Sequence, residues 1–335
     1  MKVGYIHYDG MAEIGRQYRR GSGIKSKFDP NFMREGGPNA TRHIFGTDTF
    51  PLHSDFDYRQ VDCDLVYFWL QGGVGSALPA LRKFREESDA VFVLFFDDVY
   101  WLDTQRLYHL ESWRSTTNLM DVLTSGYIDD HTRISTLKKP WRYLPYPHDI
   151  DYLRQFFRKE PKEKSFFSMV HGRLTLCRRT LKLYSELHKK FPDWKFRMHP
   201  YRFCTEEQIL SQWNFGDHHW LEFTPIADDW FKLLGEQRIM IDEYPSLSQS
   251  QVATQAACLG TPTISHIYNS PNKICFPTLT FDINNLESWF KVACRLVKDD
   301  DFYNQVQEYA YEAVEDYSFN NFEERLLNIY KEFKK

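Results

Sequence analysis

No Cys-x-x-Cys pair occurs among the six cysteines, Cys63, Cys177, Cys204, Cys258, Cys275 and Cys294. That scatter lacks the spacing of a zinc site and reads as free thiols in a reducing compartment. No apolar run approaches the roughly 20 residues that a membrane-spanning helix needs, so no membrane span is expected. The N-terminus runs directly into Lys2-Val3-Gly4-Tyr5-Ile6 without the layout of a secretory signal. The expected location is therefore cytoplasmic. Positive charge is not in excess, with a formal net charge of −4, so any contact with nucleic acid has to come from a local patch. There is no internal repeat and no low-complexity tract. His199-Pro200 and His218-His219 lack helical ligand spacing, and no metal is assigned.

What is present is a chain rich in apolar and aromatic residues, 42% and 17% of 335 positions, enough for two domains with substantial cores. Short apolar runs alternate with helix-forming stretches. Strands are expected at 2–8, 65–70, 90–96, 122–125 and 143–146, with a helix at 79–88 opened by Pro79. The run 90–96, Ala-Val-Phe-Val-Leu-Phe-Phe, is apolar throughout, as a strand covered on both faces is. A charged stretch at 149–164 containing Pro161 is a candidate linker. The pattern then restarts, with strands at 165–170, 194–199 and 220–223 and helices at 178–191, 206–213 and 228–234. One more strand at 276–281 precedes helices at 286–297, 301–315 and 320–333. Such alternation predicts an α/β chain with two sheets in tandem.

The stretch 238–264 is the most informative. Residues 238–244 form an apolar strand, 245–250 a polar loop, and 251–259 an Ala-rich helix without Gly or Pro. Gly260 stops that helix, and Thr261-Pro262-Thr263-Ile264 begins the next strand. In such a βαβ unit the loop before the helix lies at the carboxyl edge of a parallel sheet, where backbone N–H groups meet an anion. Ser248, Gln249, Ser250 and Gln251 suit a phosphate or sugar there, or an ordinary cap and turn.

Two further segments carry chemistry. The first strand of the second half runs into His171-Gly172-Arg173-Leu174, with Arg178 and Arg179 a few residues on. Guanidinium groups at a helix start stabilise charge growing on a departing diphosphate; surface arginines opening a helix are the plainer alternative. Asp97-Asp98 closes the buried run 90–96. These carboxylates can cap the following helix, or one can act as a general base on an acceptor hydroxyl, Asp97 before Asp98. Two metal ligands from one extended dipeptide are disfavoured, because adjacent residues point to opposite faces.

The segment Gln255-Ala256-Ala257-Cys258-Leu259-Gly260-Thr261-Pro262-Thr263-Ile264 resembles the Glu-Ala-x-x-x-Gly-x-Pro-x-Ile signature of GT-B glycosyltransferases. In that family the leading Glu binds the ribose hydroxyls of a nucleotide-sugar; Gln255 stands here, and an amide still bonds a hydroxyl. Gly172-Arg173-Leu174 with Arg178 is similar to the family's diphosphate grip. Leu94-Phe95-Phe96-Asp97 resembles the strand end that carries the catalytic Asp in an inverting phage DNA-base glucosyltransferase. The resemblance implies a GT-B fold of two Rossmann-like α/β domains facing across a cleft. Domain 1–155 would bind the acceptor and 160–316 the nucleotide-sugar, with the helix of 317–335 returning to the first domain. It implies a hexosyl- or pentosyltransferase whose co-substrate is a nucleotide-sugar, most simply UDP-linked, with no tightly bound cofactor. The Gln255 signature is similar to retaining relatives and Asp97 to an inverting one, so the stereochemical outcome stays open.

The acceptor expectation rests on 16–42. Arg16, Arg19, Arg20, Lys25, Lys27, Arg34 and Arg42 are opposed only by Asp29 and Glu35, net +5, with Tyr18, Phe28 and Phe32 interleaved. Charge beside aromatics suits a polyanion, here double-stranded DNA, with a hydroxymethylated base flipped out for transfer; a solvated loop is the alternative. Under this reading the protein is phage-encoded and works in the host cytoplasm. A surface or lipid-linked glycan is the alternative acceptor, and a non-catalytic nucleotide- or DNA-binding protein the alternative of another class.

Overall fold

The structure, a computed structural model, describes residues 1–8, 41, 44–45, 49–52, 56–70, 77–96, 114–127, 138–157, 162–171, 177–201, 205–224, 230–243 and 251–334. In chain order, the first part holds strands β1 (Val3–Tyr8), β2 (Thr49–Leu52) and β3 (Leu65–Trp69), helix α1 (Leu78–Glu87), and strands β4 (Val91–Phe95), β5 (Val122–Ser125) and β6 (Trp141–Tyr143). Then follow α2 (Ile150–Arg154), β7 (Glu163–His171), α3 (Cys177–Lys190), β8 (Lys195–Tyr201), α4 (Glu206–Leu210), β9 (Leu221–Phe223), α5 (Trp230–Glu236) and β10 (Gln237–Asp242). The remainder is α6 (Gln251–Cys258), β11 (Thr263–His266), α7 (Ser270–Cys275), β12 (Thr280–Phe281), α8 (Leu286–Lys298), α9 (Asp300–Ala313) and α10 (Phe319–Phe333).

These residues fall into two compact units. One runs to Asp149 and resumes at Tyr317–Lys335; the other is Ile150–Asp316. The stretch read as a linker instead contains α2, whose Ile150 and Leu153 are buried. The first unit is a parallel sheet ordered β2-β1-β3-β4-β5-β6. β4 lies inside it, and all five of its residues are buried, as its unbroken apolar run requires. β2 is only four residues long and includes Pro51; it is an edge strand, where a missing N–H costs least. The last strand ends at Tyr143, earlier than the apolar 143–146 suggests, and Leu144 and Tyr146 fill the core beyond it. Trp69 Nε1 donates to the Tyr146 hydroxyl.

The C-terminal helix returns to this unit. Phe322, Leu326 and Ile329 recur at helical spacing and pack with Tyr5, Tyr67, Trp69 and Phe95. Burying three such side chains is worth roughly 1.5–3 kcal/mol each. Ser318 caps α10 through the Asn321 N–H, and His148 N donates to Tyr317 O at 2.8 Å, fixing the chain where it re-enters.

The second sheet is also wholly parallel, ordered β12-β11-β10-β7-β8-β9. Phe166, Phe196, Met198, Ile239, Ile241 and Ile264 are fully buried in it. The apolar 276–281 yields only the two-residue β12. Asn269 caps α7, with Pro271 in its first turn, and Pro277 opens a 3₁₀ turn, so helical geometry takes the positions just before. At the amino edge Lys162 is buried, and its ammonium donates to Gly235 O (2.8 Å), Leu259 O (2.9 Å) and Thr261 Oγ1 (2.8 Å). Two of those acceptors are carbonyls at the C-terminal ends of α5 and α6, where a cation offsets the helix dipole.

Candidate nucleotide-sugar site

The strand order of the second unit sets the place for a ligand. From β7 the chain steps through β8 to β9 on one side, then returns to β10 on the other side of β7 and continues outward to β11 and β12. β7 and β10 are hydrogen-bonded neighbours, with Ile239 beside Phe166 and Ile241 beside Ser168. In open α/β sheets the place where the strand order reverses, beyond the strands' carboxyl ends, is where ligands bind. The two sequence motifs leave from these two strands. Gly172 and Arg173 follow β7, and Ser248 and Ser250 follow β10, but these four residues lie outside the described ones. So do Asp97 and Asp98, just beyond β4, and Arg16, Arg19, Arg20, Lys25, Lys27 and Arg34.

The helices that open at this edge are described. α3 buries Leu181, Tyr184 and Leu187 on one face. Arg178 in its first turn is exposed, and Arg179 is half-buried. α6 begins at Gln251 and is buried from Ala253 to Cys258. Small alanines let it lie close on the sheet, and it ends in a Schellman turn: Thr261 N donates to Ala256 O (2.8 Å) and Gly260 N to Ala257 O (3.2 Å). Gly260 sits at φ +65°, and a Cβ there would run into the Phe157 ring and lie 2.7 Å from Gln307 Nε2. The glycine of the signature is therefore required by both backbone conformation and space.

Gln255, the signature's leading position, is buried on α6, and its Oε1 accepts from Trp230 Nε1 at 2.9 Å. The Trp230 ring lies 5.6 Å from that of His199, near the end of β8. His199 Nδ1 lies 2.9 Å from Thr224 O, and since a carbonyl only accepts, Nδ1 carries the proton and Nε2 is the acceptor in the neutral ring. Burial pushes the His199 pKa below the usual imidazole value, favouring that neutral form. Indole, imidazole and amide thus meet at one side of the switch point, a combination suited to a nucleoside.

At the end of β10, Asp242 and Glu243 turn to different partners. Asp242 Oδ2 accepts from Asn269 Nδ2 at 2.9 Å, which ties β10 to the cap of α7. Glu243 reaches across the switch point to α3. Its Oε2 accepts from Thr180 N (2.7 Å) and Thr180 Oγ1 (2.6 Å), and its Oε1 lies 3.6 Å from Arg179 Nη1. Desolvation raises its pKa to about 7, against the lowering effects of Thr180 and Arg179. Sequence reading missed Glu243, Thr180, His199 and Trp230 as parts of this edge. An acidic pair, Asp242-Glu243, closing the apolar 239–241 was the one available signal; for Trp230 there was none.

No family model and no curated protein sequence matches the chain. Solved structures do, GT-B glycosyltransferases among them. Trehalose-6-phosphate synthase OtsA superposes with a TM-score of 0.61 at 11% identity, over 82% of this chain and 73% of that one. A trehalose-6-phosphate synthase solved in work on glycosyl transfer with retention gives 0.63 at 10% identity, over 99% of each chain. Staphylococcus aureus TarM, in complex with Fondaparinux, alpha-GlcNAc-glycerol and UDP, gives 0.57 at 12% identity, over 79% of this chain and 55% of TarM. At such identities the likeness establishes the fold: two parallel-sheet α/β units of GT-B type.

Proposed function

We propose that the protein is a nucleotide-sugar-dependent glycosyltransferase that takes its donor at the carboxyl edge of the second sheet and its acceptor on the first unit. The observation that carries this reading is the strand order of the second unit. It brings the ends of β7 and β10 together, so the segments carrying Arg173 and Ser248–Ser250 leave from neighbouring strands. Arg173 and Arg178 bind the diphosphate, aided by the N–H groups that open α3 and α6. Ser248, Ser250 and Gln251 complete the cradle, and Gln255 bonds a sugar or ribose hydroxyl. Charge builds on the departing diphosphate as the glycosidic bond breaks, and cations fixed in advance stabilise that state more than the ground state. Asp97, with Asp98 as its alternate, accepts the acceptor proton. Support for a UDP-linked donor comes from the neighbours solved with UDP-2-fluoro glucose and with UDP.

For the acceptor, the net +5 segment 16–42 favours DNA bearing a hydroxymethylated base. The alpha-GlcNAc-glycerol bound in TarM favours a sugar- or polyol-like acceptor instead. One experiment addresses both: incubate the protein with a panel of nucleotide-sugars and with plain DNA, hydroxymethylated DNA or simple glycosides, and read products by mass spectrometry. Turnover should fall at least 100-fold in Arg173→Ala and in Asp97→Ala, as when a transition-state contact is removed (about 2.7 kcal/mol or more). Nucleotide-sugar binding without turnover on any acceptor would leave a binding protein on this fold. Duplex binding that is indifferent to salt and to neutralising Arg19 and Arg20 would remove the DNA acceptor.

A further inference from the structure

The proposed donor site contains a negative charge where an anion is to bind. Glu243 takes the Thr180 N–H and hydroxyl in the first turns of α3 and faces Arg179, the groups that would otherwise meet a phosphate. Its side chain is only 6% exposed, and among the described residues its Oε1 has no hydrogen-bond donor. α3 is 14 residues long, so the helix start is a full one. Arg179 is the charged group among the described residues that faces Glu243. From β10 itself, the neighbouring carboxylate of Asp242 turns to Asn269. Arg178 on α3 is exposed.

We propose that Glu243 is a positioning residue of the donor site: ionised, it holds the start of α3 and the Arg179 guanidinium against β10, and it takes up one proton from solvent when a nucleotide-sugar diphosphate binds there. The reasoning is one of like charges. A diphosphate brought beside a buried carboxylate raises the free energy of its ionised form, and Oε1, which faces Arg179 rather than Thr180, is the atom on which a proton relieves that repulsion. The protonated carboxyl keeps Oε2 as an acceptor for Thr180, so the helix start stays anchored while the guanidinium is released to the phosphate. Burial already brings the Glu243 carboxyl close to neutrality, at about 7, so the uptake needs little driving.

This inference rests on the donor reading given above, and the test separates the two. UDP-glucose, whose diphosphate has constant charge between about pH 6 and pH 8.5, is titrated calorimetrically into the full chain across that range. Each point is repeated in two buffers of different ionisation enthalpy. The wild type should bind with close to one proton taken up at the upper end of the range, and affinity should fall by up to roughly tenfold per pH unit above about 7. Glu243→Gln imitates the protonated carboxyl and should bind across the whole range as the wild type does at low pH, with no buffer dependence. Thr180→Val removes a hydrogen bond that favours the ionised form, and the fall in affinity should then begin at higher pH. A merely structural role would lower affinity or stability at every pH without changing the proton count. Wild-type binding with no proton uptake, or a Glu243→Gln variant that melts normally yet fails to bind, overturns the inference and leaves the donor site standing. Failure of the wild type to bind UDP-glucose or any other nucleotide-sugar of a panel removes the donor reading and this inference with it.

Discussion

Replacing Gly260 by Ala is the sharpest probe of how the second unit is built. The residue is at φ +65°, where an L side chain costs roughly 1–2 kcal/mol. The new methyl would strike the Phe157 ring, with Cδ2 at 3.0 Å, and the Gln307 amide at 2.7 Å. Neither neighbour has an easy retreat. Phe157 packs on Tyr311 with ring centroids 5.1 Å apart, and Gln307 Nε2 donates to Gly260 O at 2.8 Å. Overpacking of this kind costs about 1–3 kcal/mol, and moving Gln307 away forfeits about 1 kcal/mol more. The total, about 3–6 kcal/mol, is a large part of what holds a domain folded and corresponds to a fall in melting temperature on the order of 10 °C. Gly216 provides the control. It has φ +97° and nothing within 4 Å of its would-be Cβ, so Gly216→Ala pays backbone strain alone. Thermal and urea melts followed by tryptophan fluorescence and circular dichroism compare the two. If Gly260→Ala melts no lower than Gly216→Ala, the close approach of Phe157 and Gln307 does not matter and the packing argument is wrong.

Glu243 predicts a pH dependence of stability with a definite sign. Its folded-state pKa, about 7, is raised above the ordinary 4.5. Its contribution is therefore fully present below about pH 4.5 and lost as pH rises through about 7. The loss is roughly 3 kcal/mol. The difference in melting temperature between about pH 5.5 and pH 8 should shrink in Glu243→Gln; an unchanged difference would assign it to other groups. Trp230→Phe removes the indole donor from the buried Gln255 amide. It should cost about 1–2 kcal/mol of stability and raise the KM for nucleotide-sugar severalfold with a smaller change in kcat. A KM equal to that of the wild type would place the nucleoside elsewhere.

The alternation of strands and helices was legible because each element here obeys its local rules. The doubly buried β4 is apolar at every position, and α6 is announced by its alanines, its closing glycine and Pro262. Boundaries were lost where a local rule competed with apolarity. Asn269 and two prolines turned most of 270–279 helical, and 150–154 coiled into α2 despite its charge. The edge strand β2 is only four residues long and contains Pro51, which breaks the usual strand signal. Gln251, Gln255 and Arg178, read from motif and spacing, lie on the helices that open at the carboxyl edge of the second sheet. The Glu243–Thr180 contact spans 63 positions and the Trp230–Gln255 contact 25, and nothing local in a sequence records pairings that only the sheet order creates.

The chelated ammonium of Lys162 has a practical consequence. All three of its N–H bonds are spent on oxygens inside the second unit. An acylating reagent in solution therefore meets this amine only when that unit opens. Mass-spectrometric labelling at this single lysine would time the opening of the second unit, while the solvent-facing lysines react at once.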